Sequence, residues 1–153
     1  MSIRFAEQKD CAEMLDLIKE LALYEKALEK VTVTMEEFVN AGFGENKVWE
    51  AFVVEDDGKI VGMALYYIRY STWRGRMFYL EDFIVKEEYR GKGYGKALFE
   101  RCIEQTQTLR CHGMTFQVLD WNTPAIEFYK KYDGQFEGEW VNVLIFPKSN
   151  DAS

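Results

Sequence analysis

Histidine, cysteine and proline are scarce in this chain of 153 residues, and each scarcity removes a class of chemistry. One histidine, His112, cannot build an imidazole-rich zinc site, and Cys11, Cys102 and Cys111 form no C-x-x-C pair. No metal is therefore expected, and the thiols are expected to be free in a reducing cytoplasm. With only Pro124 and Pro147, and no linker or repeat, residues 1–153 are expected to form a single domain. No signal-peptide-like run opens the chain and no stretch of about 18 apolar residues occurs, so no membrane is expected as a partner. Positive charge is also in deficit. A formal net charge of −7 argues against nucleic acid and tolerates a cationic partner.

What is present is apolar and ring-rich. Hydrophobic residues make up 48% of the chain, enough for a sizeable core, and the aromatic 16% falls largely in stretches with strand patterning. The densest signal runs from Leu80 to Lys96: an apolar run bearing Glu81 and Asp82, a charged link, then Gly91, Gly93 and Gly95, then a helical pattern. Strand, glycine turn and helix N-terminus together favour an anion, because the first turn of a helix offers unpaired N–H groups. Arg90, Lys92 and Lys96 add positive charge, so the loop reads as a cradle for a pyrophosphate. It is not a dinucleotide fingerprint, since the last position of G-x-G-x-x-G is Lys96. Nor is it a P-loop, since Ala97 follows Gly95-Lys96 and no glycine stands five residues before Gly95.

The remaining elements follow from periodicity and turn residues. Ser2–Ala6 alternates as a strand, and Asp10 with Glu13 suggests a capping box for a helix running to about Leu28. Thr34 with Glu37 suggests a second, for a short helix ended by Gly42. Val48–Val54, Lys59–Tyr70 and Arg76–Val85 read as antiparallel strands, the first two joined by a turn at Asp56–Lys59. A helix follows the glycine loop, Met114–Leu119 reads as a strand, and Thr123–Lys131 as a helix with Pro124 near its first position. Gln135–Phe146 is expected to add one or two strands. The order predicts an α/β fold: a mixed sheet with helices on both sides.

Arg90-Gly-Lys-Gly93-Tyr-Gly95 fits the pattern Arg or Gln, two residues, Gly, one residue, Gly or Ala. In that pattern and in its element order the chain resembles the GNAT N-acetyltransferases, whose acetyl-coenzyme-A loop it matches. Leu17–Glu25, Gly42–Glu45, Met63–Tyr67, Tyr79–Phe83 and Trp121–Lys130 narrow the resemblance to the diamine (spermidine/spermine) acetyltransferases, over roughly Ile3 to Tyr132. The resemblance implies a mostly antiparallel acyl-CoA acyltransferase sheet with splayed central strands. It also implies acetyl-CoA as cosubstrate, a small cationic amine as acceptor, and a homodimer.

An amine of pKa near 10 must lose a proton before it attacks a thioester, and the departing thiolate must gain one. The resemblance puts the amine-side base at Glu81 and the proton donor at Tyr129. Read from the residues alone, Phe128-Tyr129 serves equally as core aromatics of a helix. Asp82 is adjacent to Glu81, and neighbours on a flat strand point to opposite faces, so both acids meet one pocket only at a bulge. A splayed strand would free the backbone of Phe83, Ile84 and Val85 for the pantetheine arm, beside the cradle of Arg90, Gly91, Lys92, Gly93, Tyr94, Gly95 and Lys96. Asn122 and Ala125 match cofactor contacts, and Asn122 also suits an N-cap.

Tyr24 and Glu25 match the family's amine-facing pair, an acid beside an aromatic face. Trp73 either lines the same groove or packs the hairpin. One departure bears on substrate: where the polyamine enzymes carry Asp-Pro before that tryptophan, this chain has Ser71-Thr72. A lysine-analogue or thialysine-type acetyltransferase is therefore the related reading, and a non-catalytic acetyl-CoA-binding module the reading from another class. A covalent acetyl-cysteine route through Cys102 or Cys111 is disfavoured, because neither stands beside a base.

Overall fold

The computed structural model describes residues 1–147, in two compact units: Met1–Gln117, and a second that begins at Val118. In the first, β1 (Ser2–Phe5), β2 (Glu50–Asp56), β3 (Lys59–Ser71), β4 (Gly75–Val85) and β5 (Gly113–Thr115) form one sheet in that order. Successive pairs are antiparallel except β4–β5, which is parallel. The sheet is mixed and mostly antiparallel, as the element order implies.

Helices cover both faces. On one side α1 (Cys11–Tyr24) and α2 (Met35–Phe43) bury Met14, Leu17 and Phe38 against Val53, Met63, Leu65 and Ile84. On the other lies α3 (Tyr94–Thr108), where Phe99 meets Phe83 edge-on at 5.6 Å and the Arg101 guanidinium sits 4.3 Å from the centre of the Phe52 ring. Because both faces are covered, β3 is buried without a break from Ile60 to Tyr66. From Tyr67 onward it emerges.

Local signals decided some boundaries and tertiary ones the rest. The Asp56–Lys59 turn forms as expected, with Asp57 and Gly58 at φ +51° and +76°. Thr34 caps α2 by accepting from the Glu37 amide at 3.1 Å. That helix runs through Gly42 to Phe43, because Gly42 serves packing: a Cβ there would lie 2.3 Å from the Trp49 ring. The Asp10–Glu13 capping box does not form. Asp10 instead pairs with Arg4 at 2.8 Å and accepts from the Glu7 amide, while Glu13 accepts from the Ile60 amide at 3.0 Å. Long-range partners outcompeted the local one. α1 ends at Tyr24 rather than near Leu28, with Lys26 in the left-handed region at φ +59°.

The strand expected over Met114–Leu119 shortens to Gly113–Thr115, and its ladder with β4 stops at the pair Tyr79–Thr115. Beyond that pair the two strands no longer bond to each other. In the second unit, α4 (Thr123–Lys130) has Pro124 in its first turn. The expected strands in Gln135–Phe146 are absent: no ladder includes them among the described residues. An apolar pattern marks what could be a strand, but a strand exists only where a neighbour takes up its N–H and C=O groups.

Candidate active site

The register between β3 and β4 runs Ala64–Phe83 and Leu65–Asp82, then jumps to Tyr66–Leu80. Glu81 is the residue skipped, the extra member of a β-bulge. A bulge interrupts alternation, and here it brings two adjacent acids to one face. Asp82 lies opposite Leu65, whose side chain packs under α1. Glu81 turns to the same face, where it accepts a 2.9 Å hydrogen bond from the hydroxyl of Tyr67, two residues beyond Leu65 on β3. The condition that sequence reasoning set for Glu81 and Asp82 to share a pocket is met.

A third acid reaches this place from the end of α1. Burial, followed by the negative charges of Glu81 and Glu25, pushes the Asp82 carboxyl up to about 7. Burial pushes the Glu25 carboxyl up as well. Tyr24, beside it, is partly exposed. Burial disfavours the charged form of Asp82 and of Glu25, and a cation placed beside them would relieve that cost.

Tyr67 and Tyr79 lie in stretches that carry the family resemblance, but sequence reasoning gave neither them nor Arg69 a role in the site. The Tyr67 ring stacks on Tyr79 at 5.2 Å, and the Arg69 guanidinium lies 5.4 Å from the centre of the Tyr79 ring. Burial pushes both phenols up, helped next by the hydrogen bond to Glu81 at Tyr67 and by the charge of Glu81 at Tyr79, while Arg69 pulls the other way. Strand alternation counted back from Glu81 through the hairpin was the signal that could have found them.

Past Val85 the chain enters the glycine loop. The Arg90 side chain folds back, Nε donating to the Val85 carbonyl at 3.1 Å. Gly91 and Gly93 sit at φ +77° and +84°, and no atom lies within 4 Å of where a Cβ would stand on either. The loop surface is open, and only glycine takes this backbone without strain. Gly93 caps α3, whose first turn contains no acid. Gly95 and Lys96 fall in that turn, and the Lys92 ammonium lies over the Tyr89 ring at 5.1 Å. The Tyr94 hydroxyl is committed to Asp56 at 2.6 Å, tying α3 to the β2–β3 turn, so only the main chain of Tyr94 is offered to the cradle. An open, amide-lined turn at the N-terminus of a helix of 15 residues suits a pyrophosphate. Ahead of it, Phe83, Ile84 and Val85 pair with β3 on one side and have no β5 ladder on the other.

In the second unit, the Asn122 side chain accepts from the Ala125 amide at 3.4 Å, so the N-cap reading of Asn122 holds. Tyr129 lies on α4, its ring edge-on to Phe128 at 5.5 Å. Trp73, 83% exposed, stands in the β3–β4 turn and does not pack the hairpin. Ser71, which replaces an expected acid, accepts from the Trp73 and Arg74 amides at 3.2 and 3.0 Å. Its hydroxyl serves the turn. Burial pushes the Cys102 thiol up to about 12 and the Cys111 thiol upward, so neither favours a thiolate nucleophile. Among the described residues no group of His, Cys, Asp and Glu could hold a metal, and no helix is long and apolar enough to cross a membrane.

Comparison with known proteins is consistent with this geometry. The model of the Acetyltransferase (GNAT) family matches residues 23–134. The thialysine N-epsilon-acetyltransferase of Bos taurus is 40% identical over 162 residues, covering 93% of this chain and 95% of that protein. The spermidine/spermine N(1)-acetyltransferase-like protein 1 of Homo sapiens is 39% identical over 134 residues, 83% of this chain and 19% of that longer protein. Among solved structures, an aminoglycoside acetyltransferase from an uncultured soil metagenomic sample superposes with a TM-score of 0.77 at 18% identity, covering 96% of both chains, a likeness of fold.

Proposed function

The chain belongs to the acetyltransferase (GNAT) family, and from that premise we propose that it moves acetyl from acetyl-CoA to the primary amine of a small polyamine, diamine or lysine-like molecule. The observation that carries this reading is the bulge at Glu81, which turns Glu81 and Asp82 to one face, beside Glu25 from the end of α1, on the strand that leads into the anion cradle. Acetyl-CoA supplies the thioester. The loop from Arg90 to Lys96 holds its pyrophosphate through main-chain amides, and the edge of Phe83–Val85 that carries no β5 ladder receives the pantetheine arm. Asn122 and Ala125 add cofactor contacts.

Transfer is direct, in a ternary complex. Glu81 takes a proton from the bound ammonium, and the neutral nitrogen attacks the acetyl carbonyl. The C–N bond forms, the C–S bond breaks, Tyr129 gives its proton to the departing thiolate, and the second proton, shed by the nitrogen as it becomes an amide, restores Tyr129. Phenol and thiol differ by only about 1.5 units of intrinsic pKa, so the donor is well matched. Tyr24, Glu25, Asp82 and Trp73 hold the rest of the amine. The protein works as a cytoplasmic homodimer of one catalytic domain per chain.

A second reading within the class, a thialysine-type enzyme, is favoured by one observation: the Ser71 hydroxyl is spent on the hairpin turn, so a distal acidic contact for a long polycation is missing. Thiol release from acetyl-CoA, measured against spermidine, spermine, putrescine, thialysine, lysine and a lysine peptide, tests both. Turnover of free amines above the peptide is expected. A peptide preferred over every free amine would refute the small-amine reading.

A further inference from the structure

The face that carries the acids also carries a cation. Tyr67 and Arg69 alternate on β3 and so project to one side, and Tyr79 pairs with Tyr67 across the ladder. The contacts form a row: the Glu81 carboxylate on the Tyr67 hydroxyl at 2.9 Å, Tyr67 on Tyr79 at 5.2 Å, and Arg69 5.4 Å from the centre of the Tyr79 ring. Two stacked phenols make the floor, with acids at one end and a guanidinium at the other. Among the described residues Arg69 has no carboxylate partner.

We propose that Arg69 is a specificity residue that binds the carboxylate of an amino-acid substrate whose side-chain amine is acetylated at Glu81. This rests on the small-amine reading and selects within it. The spacing agrees with the chemistry. The guanidinium lies over Tyr79, and Glu81 is two residues further on β4, about 7 Å of strand rise. The side-chain nitrogen and carboxyl carbon of an extended lysine are separated by six bonds of about 1.5 Å, a zigzag of roughly 7–8 Å. A guanidinium forks onto a carboxylate with two parallel hydrogen bonds. A diamine of the same length would instead put its second ammonium beside Arg69. The same arginine therefore attracts one substrate class and repels the other.

Lysine and cadaverine differ only by the carboxylate, so the pair isolates it. Wild-type protein is expected to give the higher kcat/KM with lysine. Arg69→Ala should lower kcat/KM for lysine about tenfold, mainly through KM, and raise it for cadaverine by relieving repulsion. Arg69→Glu should invert the preference, and Arg69→Lys should restore part of it. Because Arg69 is exposed, these variants are expected to fold, which a thermal melt checks. If Arg69→Ala changes both substrates alike, this inference is overturned while the small-amine reading stands. No turnover of either amine, nor of any other free amine, by the wild type overturns both.

Discussion

Asp82 offers a test of the acid cluster that needs no substrate. Its carboxyl is raised from an ordinary 3.8 to about 7, by burial first and then by Glu81 and Glu25. A carboxyl raised on folding stabilises the protein fully only below its unfolded value, and that contribution is lost as pH rises through the folded one. The window is therefore from about pH 4 to about pH 8. At 1.36 kcal/mol per pH unit, raising the carboxyl from 3.8 to about 7 costs up to about 4 kcal/mol across that window. Asp82→Asn removes the group. Denaturant unfolding of both proteins from pH 4 to 9 should show the variant gaining on the wild type by roughly 2–4 kcal/mol, with the gap constant above about pH 8. A gap that does not change with pH would refute the burial and clustering of these charges. Glu81→Gln should shrink the effect, since the second cause of the shift is then gone.

The Tyr67 hydroxyl holds Glu81 at 2.9 Å, so Tyr67→Phe should cut kcat several-fold, move the acidic limb of the rate profile to higher pH, and leave the KM for acetyl-CoA alone. A lower kcat with an unmoved pH profile would make Tyr67 merely structural. Gly42→Ala sets two effects against each other: alanine gains about 1 kcal/mol of helix propensity, but its Cβ meets the Trp49 ring at 2.3 Å. Trp49 is stacked on Phe38 and edged by Phe43, so it has little room to yield. A net loss of about 1–3 kcal/mol in denaturant unfolding is expected, and a gain would contradict the packing.

The parts of the fold that were legible in the sequence are those whose causes are local. The Asp56–Lys59 turn, the Thr34 and Asn122 caps, Pro124 and the glycine loop each depend on residues within a few positions, and each formed. Where a distant partner decides, the pattern misled. Arg4 took Asp10 away from its expected box, and Trp49 made Gly42 a packing residue rather than a stop. The tail pattern over Gln135–Phe146 named residues suited to a strand but could not supply a ladder. At the site, Glu81 and Asp82 were visible as acids, yet their sharing a face depends on a register jump against β3 that neither strand announces. Tyr67 and Arg69 were overlooked for a related reason: their partners lie across the hairpin, and only alternation counted through it leads to them.

Glu81 as the amine-side base is the claim on which the rest depends, and single-turnover kinetics of Glu81→Gln with saturating acetyl-CoA and amine test it most directly. General base catalysis is worth about 10²–10⁴ in rate, so the variant should lose at least a hundredfold at pH 7 and recover steadily as pH rises and the amine deprotonates on its own. A rate within a few-fold of wild type across that range would contradict the account.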